Sequence, residues 1–208
     1  MLKISKAASH KGLDEWKARF KASHRQTATY DDLWENHDFH LTVKKDLIHE
    51  QKGLCCYCCC QLDENDSHIE HFFPQSKYPQ MDLDYSNLFV SCNGGRKKAS
   101  CGNKKEDIDP KGAVISPTDE NCGAAFSYTL RGKIEAIDGY VLAQSTIDIL
   151  SLNNPALVKA RDVALWESGV PMAAENERGE LVAELASDPD ILPAYCNILQ
   201  FFANPENV

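Results

Sequence analysis

The segment from residue 51 to residue 106 reads QKGLCCYCCCQLDENDSHIEHFFPQSKYPQMDLDYSNLFVSCNGGRKKASCGNKKE. Five cysteines lie between positions 55 and 60, two more follow at positions 92 and 101, and the whole chain has nine. An odd number of cysteines crowded into one turn is typical of a metal site in a reducing compartment, not of a disulfide framework. The segment therefore predicts a bound zinc ion.

The cysteines are spaced for a closed thiolate site. A CxxC pair opens the segment, and its tight turn can bring two thiolates to one metal ion. The second pair is separated by eight residues instead of two. Cys56 and Cys59 are an alternative first pair. Buried cysteines that bind no metal are the other alternative, but cysteine is otherwise scarce in cytosolic chains. The expected zinc ligands are Cys55, Cys58, Cys92 and Cys101.

An acidic residue followed by a histidine lies between the two cysteine pairs, in IEHFFP at positions 69–74. This run predicts a short strand, which the proline closes. Asn-Leu follows at 87–88, and CGNKK at 101–105 is expected to open a helix. The order of these motifs resembles the HNH endonuclease family. That resemblance implies a two-stranded ribbon and a helix clamped around one divalent metal ion, with zinc stapling the outside.

Roles for individual residues follow from position in that family. The resemblance makes His71 the general base and Glu70 a ligand of the divalent ion. Asn87 is the middle asparagine, expected to hold the loop and orient His71, and Asn103 takes the place of the final ligand. Hydrolysis of an anionic phosphodiester needs a base to activate water and a cation to stabilise the leaving oxygen. The expected cofactors are a structural zinc and a catalytic magnesium or manganese.

The strand predicted at 68–73 raises a geometric difficulty for these roles. Neighbouring side chains of a regular strand point to opposite faces, so Glu70 and His71 share one site only if the strand bends or ends there. Pro74 makes an ending plausible. His68 lies on the same face as Glu70 and is an alternative metal ligand.

Sequences on both sides of the motif narrow the resemblance. QKGL at 51–54 precedes the cysteines, and TIDILSLN at 146–153 is followed by Leu157, Val158 and Arg161. Together they resemble the PtuB-type nucleases of Septu and certain retron anti-phage systems, which work with an ATPase called PtuA. The resemblance implies a PtuA-like ATPase as partner, with a retron reverse transcriptase and its RNA–DNA as a further candidate. The expected substrate is nucleic acid, either DNA or tRNA.

The net charge of 22 − 31 = −9 argues at first against a nucleic-acid partner, because phosphate contacts need lysine and arginine. The charge is unevenly distributed. Residues 1–106 carry 16 basic and 15 acidic side chains, whereas residues 107–208 carry 6 and 16. A basic stretch without any acid runs from 94 to 105, and nucleic acid is expected to bind there. The candidate phosphate contacts are Arg96, Lys97, Lys98, Lys104 and Lys105.

Helical patterns flank the motif on both sides. Leu13, Trp16 and Phe20 recur at helical spacing, and Thr42 is a candidate cap for a helix that ends near Gly53. Further on, residues 126–130 and 133–137 predict a hairpin, with helices beyond it. We expect an N-terminal helical extension at 1–50, the nuclease core at 51–106, and a mainly helical region at 107–208 that docks a partner.

The expected class is an α+β protein, in which a ββα-metal (HNH) nuclease core with a structural zinc site is flanked by helices. No apolar run approaches the roughly 20 residues that cross a bilayer, and the first residues lack a signal peptide's apolar stretch. A cytoplasmic protein with no membrane span is therefore expected. Two alternatives stay open: a non-catalytic zinc module that binds nucleic acid or a partner, and a free-standing, restriction-like HNH enzyme.

Overall fold

The computed structural model describes residues 1–95 and 99–207. Its α-helices are α1 (Lys11–His24), α2 (Tyr30–Glu35), α3 (His37–Glu50), α4 (Gly102–Lys105), α5 (Ala143–Ile149), α6 (Pro155–Glu167), α7 (Arg178–Leu185) and α8 (Cys196–Ala203). Its strands are β1 (Ser67–His71), β2 (Leu88–Cys92), β3 (Phe126–Tyr128) and β4 (Ile134–Ala136). Short 3-10 helices occupy Pro79–Met81, Tyr85–Asn87, Val170–Met172 and Pro205–Asn207. The chain is thus a mixed protein of helices and small sheets.

Two antiparallel ribbons form the sheets. Strand β1 pairs with β2, and the register sets Glu70 opposite Phe89 and His71 opposite Leu88. Strand β3 pairs with β4 around Gly132, so the predicted hairpin is confirmed. The first ribbon carries the acidic residue and the histidine of the central motif, and it is followed in the chain by the short helix α4.

The N-terminal helices begin and end largely where local chemistry directs them. The side chain of His10 caps α1 by accepting a hydrogen bond of 2.9 Å from the backbone N–H of Leu13. The predicted cap at Thr42 is wrong, because α3 begins at His37 and Thr42 lies inside it. The Thr42 hydroxyl instead donates to the carbonyl oxygen of Asp38, one turn earlier. As predicted, Gly53 closes the end of α3, donating to Ile48 with a φ of +76°.

The first ribbon lies between two clusters of buried side chains. On one face, Ile69 and Val90 belong to an N-terminal core, which α1, α2 and α3 complete with Leu13, Leu33, Val43 and Leu47. On the other face, Phe89 belongs to a C-terminal core shared with Tyr57, Phe126, Leu150, Leu165, Ile198 and Phe202. Burying large apolar side chains on both faces fixes the register of a ribbon that two strands alone would not stabilise.

Arg161 ties the C-terminal elements together. Its guanidinium is buried and donates to the carbonyl oxygens of Gly132 at 2.7 Å and Leu152 at 2.5 Å. Asn153 brackets the backbone of Ile134, accepting from its N–H and donating to its carbonyl oxygen. These bonds join the second ribbon to α6. Among the helices described, none combines the length and the apolar character needed to cross a membrane.

Candidate functional site

Four cysteine side chains converge beside the first ribbon. The sulfur atoms of Cys55, Cys58, Cys60 and Cys92 all lie within 4.8 Å of one another. The sulfur atoms of Cys58 and Cys92 are 3.7 Å apart. A tetrahedral zinc ion with Zn–S bonds of about 2.3 Å places its sulfur ligands about 3.8 Å apart. The cluster therefore has the spacing of a structural zinc site.

Cys101 brings a fifth thiol to the same place. Hydrogen bonds to Cys55, Cys58 and Cys92 raise the pKa of the buried Cys101 thiol well above its usual range. The hydrogen bond with Cys101 is also the main reason that the pKa of Cys92 is lowered to about 5. Three of the predicted ligands thus lie in the four-sulfur cluster, and Cys60 is its fourth member. A tetrahedral ion needs one thiol fewer than the five present.

The alternative pair, Cys56 and Cys59, is not among the four clustered sulfur atoms, although the Cys56 thiol is hydrogen-bonded to Cys55. Cys59 packs instead with Leu54 and Cys196, and its φ of +63° turns the chain between Cys58 and Cys60. That turn explains why strict CxxC spacing missed Cys60. A Cys-x-Cys step at 58–60 is the sequence signal that marks it.

Glu70 is buried on the face of the ribbon that packs against the C-terminal core, and three side chains contact its carboxylate. Its Oε1 accepts a hydrogen bond of 2.9 Å from the Tyr57 hydroxyl and lies 3.0 Å from the Lys105 ammonium nitrogen. Its Oε2 lies 3.4 Å from Nε2 of His68. Burial acts to raise the pKa of Glu70, but the hydrogen bond with His68 and the charge of Lys105 lower it overall. The carboxylate is therefore ionised at neutral pH.

His71 lies on the opposite face of the ribbon. Its Nε2 is 2.8 Å from the carbonyl oxygen of Asp82, which can only accept, so Nε2 carries the proton of the neutral ring. The edge of the Tyr30 ring packs against it, with ring centroids 4.6 Å apart. Burial lowers the pKa of His71 below its ordinary value. The neutral ring keeps a lone pair on Nδ1, which is free of hydrogen bonds to the residues described.

Asn87 fixes the backbone that follows His71. Its side-chain oxygen accepts from the N–H of Phe73 at 2.7 Å. Its amide nitrogen donates to the carbonyl oxygens of Phe73 at 3.0 Å and Met81 at 3.1 Å. These bonds join the end of β1 to the loop that supplies the Asp82 carbonyl. The geometry suits the loop-holding role that the sequence predicts for Asn87.

Helix α4 approaches the ribbon beside Glu70. A Cβ atom at Gly102 would collide with Oε2 of Glu70 and would lie 2.7 Å from Nε2 of His68, so only glycine fits there. The next residue, Asn103, has a buried side-chain nitrogen without a hydrogen-bond partner among the described residues. The amide nitrogen of Asn103 is thus a buried donor that the described residues leave without an acceptor.

The strand neither bends nor ends between Glu70 and His71, which is the condition under which the two side chains would share one site. Strand β1 continues regularly through His71, so Glu70 and His71 point to opposite faces. His68 is on the Glu70 face, as the sequence predicts. The ribbon thus carries a carboxylate with an imidazole on one side and a second imidazole on the other.

Two proteins named for Septu and retron systems are similar to this chain in sequence. It is 34% identical to Septu protein PtuB from Bacillus thuringiensis over 119 residues, which cover 53% of this chain and 41% of that protein. It is 28% identical to a retron Ec83 putative HNH endonuclease from Escherichia coli over 211 residues, which cover 80% of each. The chain resembles PtuB-type HNH nucleases. The resemblance drawn from the motifs is therefore confirmed, although the match spans less than half of PtuB. No family model matches the chain.

The basic residues of the 94–105 stretch have different surroundings. Lys104 is exposed, as a phosphate contact requires. Lys105 is buried, with its ammonium on Glu70 and on the carbonyl oxygens of His71 and Phe72, so it is not exposed to a phosphate. The other predicted phosphate contacts, Arg96, Lys97 and Lys98, lie outside the described residues.

Sequence reasoning missed three residues that surround the candidate site, Tyr57, Tyr30 and Asp82, and assigned Lys105 to a phosphate contact instead of to Glu70. Tyr57 and Lys105 hold Glu70, while Tyr30 and Asp82 surround His71. Tyr57 stands between the two cysteines of the CxxC pair, and an aromatic residue with a polar tip inside a metal-binding turn is a usable signal. No local pattern marks the other three, because their contacts join distant parts of the chain.

Proposed function

We propose that the chain is a metal-dependent endonuclease of the HNH type that hydrolyses phosphodiester bonds in nucleic acid. One observation carries the proposal. Glu70 and His71 are consecutive residues at the end of β1 and project from opposite faces of the ribbon, one as a buried carboxylate and the other as a neutral imidazole with an available nitrogen. These are the two groups that hydrolysis of a phosphodiester requires, a cation ligand and a base.

His71 would act as the general base. Its Nδ1 would accept a proton from the water that attacks phosphorus, while Nε2–H remains bonded to the Asp82 carbonyl. The lowered pKa keeps the ring neutral, and therefore basic, at pH 7. Asn87 would hold the loop in place through its three backbone hydrogen bonds.

The residues on the Glu70 face fit a divalent cation. Oε2 of Glu70 is engaged by neither Tyr57 nor Lys105 and faces His68, and Asn103, on helix α4, would contribute its amide oxygen. Glu70 and Asn103 would hold magnesium or manganese, which supplies stabilisation of the negative charge on the leaving oxygen. The neighbouring cysteine cluster fits zinc by its spacing.

We propose that the chain is divided into the three regions that its sequence motifs predict. Ribbon β1–β2 and helix α4 would form a ββα-metal core within residues 51–106, stapled by zinc. Residues 1–50 would be a helical extension, and residues 107–208 would dock a partner. The acidic excess of the last region supports a protein partner over nucleic acid there.

The names of the relatives support a place in anti-phage defence. We propose a PtuA-like ATPase as the partner of this chain in the cytoplasm, with a retron reverse transcriptase as a further candidate. DNA and tRNA are the candidate substrates, and Lys104 is the exposed lysine among the described residues of the proposed phosphate-binding stretch.

A non-catalytic zinc module is the competing function, and one observation favours it. Lys105 already neutralises Glu70, so the carboxylate has a structural partner without any metal ion. A binding module would need neither the neutral His71 nor the unpartnered Asn103, and cleavage by purified protein separates the two functions.

The test is a nicking assay on supercoiled plasmid and on tRNA, with magnesium or manganese, using the chain co-expressed with its partner ATPase. We expect His71→Ala to abolish cleavage while zinc content stays unchanged and the protein remains folded at the assay temperature, with a lower melting temperature because a buried ring and its bond to Asp82 are lost. His49→Ala is the matched control, since His49 is exposed on α3. Cleavage by His71→Ala at the rate of the control would refute the proposal.

A further inference from the structure

The hydrogen bonds of Asn93 determine which nitrogen of His68 carries a proton. The amide nitrogen of Asn93 lies 3.0 Å from a carboxylate oxygen of Asp66. An ionised carboxylate only accepts, so the amide nitrogen must face Asp66 and the amide oxygen must face His68. That oxygen is 2.9 Å from Nδ1 of His68. Nδ1 of His68 therefore donates.

The second nitrogen of His68 faces another acceptor. With Nδ1 protonated, the neutral ring has a lone pair on Nε2, and Nε2 lies 3.4 Å from Oε2 of Glu70. Tyr57 and Lys105 both engage Oε1 of Glu70, so they anchor the carboxylate and leave Oε2 directed at His68. Two lone-pair atoms held this close in a partly buried site repel each other unless a positive charge lies between them, which is either a proton on Nε2, as in the hydrogen bond described above, or a metal cation.

We propose that Nε2 of His68 and Oε2 of Glu70 are adjacent ligands of one divalent cation. The inference rests on the proposed function, because it names a further ligand of the same metal site. Adjacent ligands of an octahedral ion with bonds of about 2.1 Å are about 3.0 Å apart, which small side-chain adjustments reach from 3.4 Å.

The surroundings of His68 suit a metal ligand. A ligating histidine almost always donates its other ring N–H to a fixed acceptor, and Asn93, itself held by Asp66, provides that acceptor. The side chain of His68 is 31% exposed, whereas that of Glu70 is 7% exposed. The cation would therefore be open to an incoming phosphate on the His68 side. Gly102 keeps the space beside both ligand atoms clear.

An imidazole ligand changes which metal ions the site prefers. Magnesium favours all-oxygen ligands, whereas nitrogen ligands strengthen binding of first-row transition ions such as manganese. The pair of His68 and Glu70 should therefore bind manganese more tightly than magnesium, and replacement of His68 by glutamine should narrow that difference.

The test uses the zinc-loaded, full-length protein and Mn²⁺ alone as the probe. Titration followed by electron paramagnetic resonance gives the affinity, and electron spin echo modulation detects a ¹⁴N nucleus bonded to Mn²⁺. We expect imidazole ¹⁴N modulation in the wild type. In His68→Gln the modulation should disappear, with a loss of affinity on the order of 10–100-fold. His49→Gln and His71→Gln should keep the modulation.

A second variant keeps the inference testable if His68→Gln does not fold. Asn93→Ala leaves His68 in place but removes the acceptor that orients it, so Mn²⁺ affinity should fall on the order of 10-fold or more. Modulation that persists in His68→Gln, or Mn²⁺ binding to the wild type without modulation, would overturn the inference. Absence of any Mn²⁺ binding would overturn it as well, since a proton would then fill the gap. Cleavage by His71→Ala would refute the proposed function whatever the spectra show.

Discussion

Replacing Lys105 with methionine should strongly destabilise the protein, because it removes the ammonium that neutralises Glu70 in the interior. The two side chains are 3.0 Å apart and both are buried. Removing one partner of a buried ion pair typically costs about 3–5 kcal/mol, since the other charge stays buried without compensation. Lys105 also donates to the carbonyl oxygens of His71 and Phe72, which would lose a partner.

Urea and thermal unfolding, followed by circular dichroism on zinc-loaded protein, measure this loss. For a chain of this length, about 1 kcal/mol shifts the melting temperature by about 2–4 °C, so the expected drop is about 6–20 °C. Lys104→Met is the matched control, because Lys104 is the exposed neighbour on the same helix. Exposed substitutions of this kind usually change stability by less than about 0.5 kcal/mol.

The pH dependence of this loss gives an independent check. The folded pKa of Glu70 is lowered, so its charged form stabilises the protein above the unfolded pKa of about 4.3, and that contribution is lost as the pH falls through the folded value. Without Lys105, burial should raise the pKa of Glu70. The deficit of the variant should therefore be largest at neutral pH and shrink in acid. A Lys105→Met deficit no larger than that of Lys104→Met, or one independent of pH, would refute the assigned ion pair.

Three further predictions concern the base, the zinc cluster and the close approach of α4. Because burial lowers the pKa of His71, the cleavage rate should be level at neutral pH and fall only below about pH 6.5; a pH–rate profile with its midpoint above that value would contradict the assignment. Cys58→Ser should lose zinc and unfold, whereas Cys196→Ser should keep both zinc and fold, as metal analysis and circular dichroism can show. Gly102→Ala should cost about 1–3 kcal/mol in urea unfolding, while Gly179→Ala, in open space on α7, should not destabilise; equal effects would contradict the packing.

The sequence predicted those helices and strands that are marked by residue spacing or by a turn within the element itself. The spacing of Leu13 and Trp16 indicated α1, where both side chains are buried, and Arg131-Gly132 marked the turn of the second ribbon. The predicted start of α3 was wrong because threonine and asparagine are both good N-cap residues. The helix uses Asn36, where α2 and α3 meet, and not Thr42. Sequence alone does not say which of two possible caps the chain uses, since packing of the helix on the core decides between them.

The chemistry of the site was predictable from motif order, but its electrostatics were not. The order of motifs identified Glu70 and His71 as a pair. Lys105 has the sequence context of an exposed phosphate contact, next to Lys104 and after a basic run. Its burial follows from the contact between α4 and β1, which joins residues 35 positions apart in sequence, 105 − 70. Cys60 was missed for a related reason, because the left-handed turn at Cys59 is not visible in the spacing.

The position of ribbon β1–β2 between two separate cores has an evolutionary consequence. Side chains that contact His71 come from the N-terminal helices and the loop before β2, whereas those that hold Glu70 come from the cysteine turn and α4. Substitutions on the first flank therefore act on His71 directly, and substitutions on the second flank act on Glu70 directly. Two chemical properties encoded by adjacent codons are thus adjusted through different contacts, so related enzymes can vary one more than the other.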